Sequence, residues 1–272
     1  MWSGFQRVLK SYRCGSGVQA RAELAAWYES PLGRNIAAIE QQALDESLGN
    51  LFGYYLLQLG APQGKDLSAI SRIPHRLCLV DCLLQRPDAL VGAAAAPERL
   101  PVATGGIDVL LLPHVLAFTD EPHEVLREAE RVLIPDGHLL VLGFNPWSWW
   151  GLWRLALGWR RRVPWCGRFL SPWKLQDWLA LLGFEVQRLH LLDYRPPLRH
   201  AGLRARLGFL DAWGRRLWPA LGGVYLLVAK KRTIPLTPIR PRWRPQRSLL
   251  APGLQPLRKQ SSASERQLEN KA

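Results

Sequence analysis

The 272-residue sequence predicts an α/β protein whose open, mostly parallel sheet carries helices on both faces, and three features predict it. Residues 106–145, GIDVLLLPHVLAFTDEPHEVLREAERVLIPDGHLLVLGFN, run from an apolar stretch through a helix-spaced pattern into a second apolar stretch. Four more apolar runs, at 54–59, 76–80, 184–191 and 224–229, have the length of strands. Helical patterns separate several of them, and that alternation builds βαβ units.

Residues 107–112 are almost wholly apolar, as in a strand covered on both faces. Asp120 is placed to cap the next helix, with Pro122 in its first turn. Val125, Leu126, Ala129, Val132 and Leu133 then repeat at helical spacing down to the breaker Pro135. Glu124, Arg127, Glu128 and Arg131 fill the other face, where Glu128 and Arg131 are spaced for a solvated i,i+3 ion pair. The turn Pro135-Asp136-Gly137 leads into a parallel strand at 138–144. Open parallel sheets take small ligands beyond the carboxyl ends of their strands, here Pro113-His114 and Asn145-Pro146. His114 is therefore expected to line a site, and Asn145 and Asn35 are further polar candidates.

Residues 1–30 show little periodicity, whereas Ile36, Ile39, Ala43, Leu44, Leu48 and Leu51 recur as in a helix closed by Gly53. An N-terminal helical cap over 1–53 is expected. The strand at 54–59 ends in the tight loop Gly60-Ala61-Pro62-Gln63-Gly64, and a short helix follows. A second strand ends at Asp81-Cys82, and a weak third at 89–91 precedes the turn-like 97–106. After Asn145, eight of the chain's 13 tryptophans fall between Trp147 and Trp178, interleaved with Arg154 and Arg160, Arg161 and Arg162. Indoles beside arginines suit a packed core, a substrate pocket or a membrane headgroup boundary, and a helical lid over the ligand crevice reconciles the three. Ser171 caps, Pro172 opens and Gly183 closes a helix lined by Leu175, Trp178, Leu179 and Leu182. Residues 203–217 read as one basic amphipathic helix before the last strand.

The formal charge of +14 is concentrated at the C-terminal end. From Lys230 onward eleven basic residues face two acids, 11 − 2 = +9, among repeated prolines and serines, so 232–272 read as a disordered basic tail. The α/β domain then spans 54–231, with a Trp/Arg-rich insertion at 146–170. Cys14, Cys78, Cys82 and Cys166 lack metal-ligand spacing and suggest no disulfide framework, which points to reduced thiols in a cytoplasmic setting. No signal peptide and no membrane-spanning run is read, and no metal site is expected.

Taken together, Leu100-Pro101-Val102 before Ile107-Asp108-Val109, then His114-Val115-Leu116, the run LREAERVLIPDGHLLVL and the late LLGFEV at 181–186 resemble a class I S-adenosylmethionine-dependent methyltransferase, over about residues 50–230. The resemblance implies a Rossmann-like fold with S-adenosylmethionine as cofactor. It places the cofactor loop at Gly60 and Gly64, with Pro62 where the family has its middle glycine. It places the ribose-binding acid at Asp81 and the adenine contact at Ala96, which brings no side-chain acceptor. His114 completes the implied cofactor-binding set. The catalytic residues are unknown from the sequence.

The expected activity is methyl transfer to an unidentified acceptor. In-line displacement needs alignment and exclusion of water more than acid–base help. Two rival readings stand beside it. One is an inactive methyltransferase-like scaffold binding RNA or a protein partner, favoured by Pro62 and Ala96. The other is a peripheral membrane enzyme with a lipid-like acceptor, with nucleic acid or an anionic membrane met through the basic tail and the Trp/Arg segment.

Overall fold

The computed structural model describes residues 17–61, 66–80, 92–157, 162–198 and 201–232. Two helices come first, α1 (Gly17–Tyr28) and α2 (Pro31–Leu48). The sheet contains β1 (Tyr55–Leu59), β2 (His75–Val80), β3 (Gly92–Ala94), β4 (Ile107–Pro113), β5 (Leu133–Phe144), β6 (Phe184–Leu192) and β7 (Val224–Lys231). Between strands lie α3 (Val115–Phe118), α4 (Pro122–Val132), α5 (Trp149–Leu157), α6 (Pro172–Leu181), α7 (Ala201–Arg206) and α8 (Phe209–Leu217).

Strand order is β3-β2-β1-β4-β5-β7-β6, and β7 alone runs against its neighbours. The expected Rossmann-like, mostly parallel sheet is thus present. Chain order reverses across β1 and β4, the switch point at which such sheets open a ligand crevice. The central strands are apolar on both faces because both are covered. On one face Val125, Leu126 and Ala129 of α4 and Leu175 and Leu179 of α6 meet Leu110, Leu112 and Leu139. On the other, Ala43, Leu44 and Leu48 of α2 meet Val109, Leu111, Leu140 and Leu226. The C-terminal half of α2 is therefore a facing layer of the sheet. Its N-terminal half reaches the carboxyl edge.

Helix α1 escapes sequence detection because its buried positions, Ala20, Leu24 and Tyr28, are few and one is small. It folds back tightly on α2, since a Cβ at Gly33 would lie 2.3 Å from the Trp27 carbonyl oxygen. Ser30 caps α2, its hydroxyl accepting the Gly33 N–H at 3.0 Å.

Several expectations need correction. Glu121, not Asp120, precedes α4 in the capping position, with Pro122 opening the helix. The Pro135-Asp136-Gly137 turn is looped out within β5, with Asp136 at φ 64° and the register against β4 shifted between Ile107 and Val109. The basic helix expected at 203–217 is two helices, α7 and α8, parted at Leu207-Gly208. Three of the basic residues counted with the tail belong to the body, where Lys230, Lys231 and Arg232 pair with Asp136, Glu130 and Glu185. Cys78 is a free, buried thiol, but Cys166 is disulfide-bonded, against the expectation of reduced thiols throughout. The strand expected at 89–91 and the tail from 233 on lie outside the described residues.

Candidate active site at the carboxyl edge of the sheet

The parallel register brings the ends of β1, β2, β4 and β5 to one edge. Gly60 sits just past β1, and its N–H donates to the Leu79 carbonyl of β2 at 2.6 Å. Its φ of +84° lies in the left-handed region that glycine occupies without a steric penalty. Among the described residues a Cβ built there meets the Val115 Cγ2 atom, at 3.8 Å, so the first loop abuts the residue that follows His114. The buried Gln58 holds both ends of this loop: its Nε2 donates to the Gly60 carbonyl at 2.9 Å and its Oε1 accepts the Leu67 N–H at 3.0 Å. Gly64 and Asp81, like Pro62, lie outside the described residues.

Ala96 is solvent-exposed in a short bridge to Arg99, whose N–H donates to its carbonyl at 3.1 Å. That loop does carry a carboxylate two residues on: Glu98 accepts the Thr119 hydroxyl at 2.6 Å. Burial pushes the Cys78 thiol up to about 12, so it stays protonated and is no nucleophile. Among the described residues no group of three metal-ligand side chains could hold a metal ion.

His114 closes β4 in a left-handed conformation, φ 57°. Its N–H donates to the Leu142 carbonyl of β5 at 3.1 Å, which fixes it to the sheet edge. The ring is buried and stacks on Phe144 at 4.3 Å between centroids. Nε2 lies 2.9 Å from Glu40 Oε1 on α2, and the Tyr28 hydroxyl of α1 donates to Glu40 Oε2 at 2.8 Å. All three side chains are sealed from solvent, Glu40 at 0% exposure. Burial, reinforced by the Glu40 carboxylate, holds the Tyr28 phenol well above its ordinary range, so Tyr28 remains a hydrogen-bond donor. His114 Nδ1 is buried and meets no hydrogen-bond partner among the described residues. A buried polar atom left unmatched is costly, and such atoms mark strain, catalysis or a missing ligand group.

Asn145 has a different task. Its fully buried amide donates to the carbonyls of Ala220 and Gly222 at 2.8 and 2.9 Å, while Oδ1 accepts the Trp147 N–H at 3.1 Å. It is a strut, and Asn35 lies on the exposed face of α2. The tryptophan segment divides as well. Trp150 and Trp165 are core, whereas Trp147 and Trp149 are exposed, and 158–161 lie outside the described residues. Trp150 is pinned by its indole N–H to Asp193 Oδ2 at 3.1 Å, and Asp193 pairs with the equally buried Arg204 at 2.5 Å.

Sequence reasoning missed Tyr28, Glu40, Gln58 and the Asp193–Arg204 pair. Glu40 leaves one trace: it stands four residues from both Ile36 and Leu44, on the apolar stripe of its own helix.

Comparisons with known proteins agree with this architecture. Residues 48–141 match the family described as "Methyltransferase domain". The chain is 34% identical to the uncharacterized protein YafS of Escherichia coli over 216 residues, covering 78% of this chain and 82% of that one. It is 30% identical to the uncharacterized protein Rv2003c of Mycobacterium tuberculosis over 199 residues, 68% of each. Similar solved structures include an S-adenosylmethionine-dependent methyltransferase of Thermotoga maritima, with a TM-score of 0.55, 18% identity, and 72% of this chain and 89% of that one covered. Another is a methyltransferase of Archaeoglobus fulgidus, with a TM-score of 0.53, 13% identity, and 73% and 94% covered. With the sheet order, the edge built on Gly60 and His114 and these matches in hand, the chain belongs to the class I S-adenosylmethionine-dependent methyltransferases, whose cofactor is S-adenosylmethionine.

Proposed function

We propose that the protein transfers the methyl group of S-adenosylmethionine to an oxygen or nitrogen of an acceptor held at the carboxyl edge of the sheet, with His114 as the proton-accepting group. One observation carries this reading: His114, at the end of β4, has one ring nitrogen committed to a buried carboxylate and the other without a partner among the described residues. The sulfonium of the cofactor makes its methyl group labile, so the chain's own task is alignment and proton management. Glu40 favours the Nε2–H tautomer, which leaves the Nδ1 lone pair free to take the acceptor's proton as the methyl arrives. Tyr28 fixes Glu40 through its second oxygen. Gly60 suits the cofactor because its left-handed backbone and bare Cα permit close approach. Gly64, Asp81 and the backbone of Ala96 complete the proposed contact set.

A cytoplasmic location belongs to this reading, supported by the free thiol of Cys78 and opposed by the disulfide at Cys166. Among the described residues no helix is long and apolar enough to cross a membrane. A scaffold that binds RNA or a protein partner is the second reading, favoured by the lack of a side-chain acceptor at Ala96.

Calorimetric titration with S-adenosylmethionine and with its demethylated product separates the two. Saturable heat is expected, and Gly60→Val lowers affinity about tenfold or more, because a branched side chain at φ +84° is strained and blocks the approach. Absence of both heat and thermal shift at millimolar ligand selects the scaffold.

A further inference from the structure

The helix α8 turns an apolar stripe outward, exposed to solvent. Phe209, Trp213 and Leu217 stand four residues apart and are all exposed, Trp213 at 61%. Trp218, 57% exposed, and Leu221 extend the stripe beyond the helix end. The opposite side of α8 is locked down: Asp211 accepts the Tyr194 N–H at 3.0 Å and pairs with Arg195, and Gly214 lies against the Tyr194 ring. The exposed stripe is therefore a fixed surface of the folded chain.

This stripe joins the exposed indoles that follow β5. Asn145 grips Ala220 and Gly222 with its amide nitrogen and the Trp147 backbone with its amide oxygen. One side chain thus ties the Trp218–Leu221 corner to Trp147, itself 66% exposed. β6 runs parallel to β5 and ends at Leu192, so the corner, Asn145 and His114 all share the carboxyl edge.

Charge decides what fits this rim. Arg216, three residues after Trp213 and one before Leu217, is exposed beside it, and Arg206 is exposed on the preceding helix. The two acids between 193 and 223, Asp193 and Asp211, are spent internally on Arg204 and Arg195. A second copy would bring the same arginines to the contact. The chain's own segments at 1–16 and 233–272 are basic too, with 3 − 0 = +3 and 8 − 2 = +6. A nucleic acid would match the arginines but leave Leu217 and Leu221 against water. An anionic bilayer satisfies both parts, with indoles and leucines at the acyl boundary and guanidinium groups on the phosphates.

We infer that α8, the Trp218–Leu221 corner and Trp147 form a docking face for an anionic lipid bilayer, which sets the carboxyl edge of the sheet against the membrane. The inference stands apart from methyl transfer, because no residue of this face is assigned to cofactor or proton handling.

The test is sedimentation of the full chain with phosphatidylcholine vesicles, with and without phosphatidylglycerol. Binding is expected with the anionic vesicles and weakens as salt is raised. Trp213→Glu combined with Leu217→Glu lowers the partition coefficient about tenfold or more. Arg206→Glu combined with Arg216→Glu lowers it by a similar factor on anionic vesicles only. All four positions are exposed, so melting temperature and the heat of S-adenosylmethionine binding stay unchanged and certify folding. Failure of the wild-type chain to pellet with anionic vesicles overturns the inference, as do variants that bind like wild type. It is equally overturned by a wild-type dimer that the Glu variants dissolve, or by binding of single-stranded RNA without vesicle binding.

Discussion

Two carboxylates are buried at the same edge of the sheet, and their partners set them apart. Asp193 faces Arg204, a permanent cation, and the Trp150 indole, a permanent donor. Glu40 faces His114 and Tyr28, an imidazole with two tautomers and a phenol that donates to it. A carboxylate between fixed partners holds structure together. A carboxylate against an imidazole can take part in moving a proton. The Asp193 pair fastens α5 and α7 to the end of β6, whereas Glu40 joins α1 and α2 to the end of β4.

The largest expected effect comes from breaking the fixed pair. Arg204→Met leaves Asp193 buried and unmatched, at a cost of about 3–5 kcal/mol measured by thermal or urea melting. Burial already raises the Asp193 carboxyl above its ordinary value, with Arg204 opposing that rise. A raised carboxyl pKa means the folded state favours the protonated form, so this group adds stability at low pH and loses it as pH rises through the folded value. Without Arg204 the pKa rises further, and the deficit of the variant is greatest at neutral pH and narrows in acid. A deficit that does not change with pH would show that Asp193 is not the group left exposed to the low-dielectric interior.

Next comes the adjustable pair. Glu40→Gln keeps the shape of the side chain but removes the charge that orients the His114 ring and favours one of its tautomers. Turnover is expected to fall about a hundredfold or more with cofactor affinity unchanged, while stability falls by about 1–3 kcal/mol. A purely architectural Glu40 would lower turnover only in step with the folded fraction. The split between turnover and cofactor binding, measured by calorimetry and product formation, separates these outcomes.

Legibility follows the same division. β4, α4 and β5 could be read because each satisfies its own apolar period, and apolar periodicity is a local signal. The polar nodes could not, because each joins residues far apart in sequence: Glu40 to His114, and Asn145 to Ala220 and Gly222. His114 was marked by its place at a strand end, yet its partner is a single acid on the apolar stripe of a distant helix, where periodicity records only the apolar residues. The break between α7 and α8 was hidden for a related reason. Asp211 is held by Tyr194 and Arg195 from a preceding loop, which no periodicity records. Of the site, position at the sheet edge was legible and pairing was not.

The smallest effect concerns a pair that spacing alone assigned to solvent. Glu128 and Arg131 do pair on the outer face of α4, but they also grip the Leu100–Val102 turn. Glu128 Oε1 accepts the Leu100 N–H at 2.7 Å, and Arg131 Nη2 donates to the Leu100 and Val102 carbonyls at 3.2 and 2.9 Å. Glu128→Gln should cost about 1 kcal/mol. The hydrogen bond from Arg131 holds the Glu128 carboxyl below its ordinary value, with the Leu100 N–H adding to the effect. A depressed carboxyl contributes stability above its unfolded pKa, and that contribution is lost as pH falls through the folded value. Melting curves of wild type and variant should therefore differ at neutral pH and converge in acid, the reverse of the Arg204→Met behaviour only in its cause. There a buried charge is relieved by a proton, whereas here a favourable charge is removed by one. Wild-type stability separates the two: acid lowers it through Glu128 and raises it through Asp193, and only the Glu128 part disappears in the Gln variant.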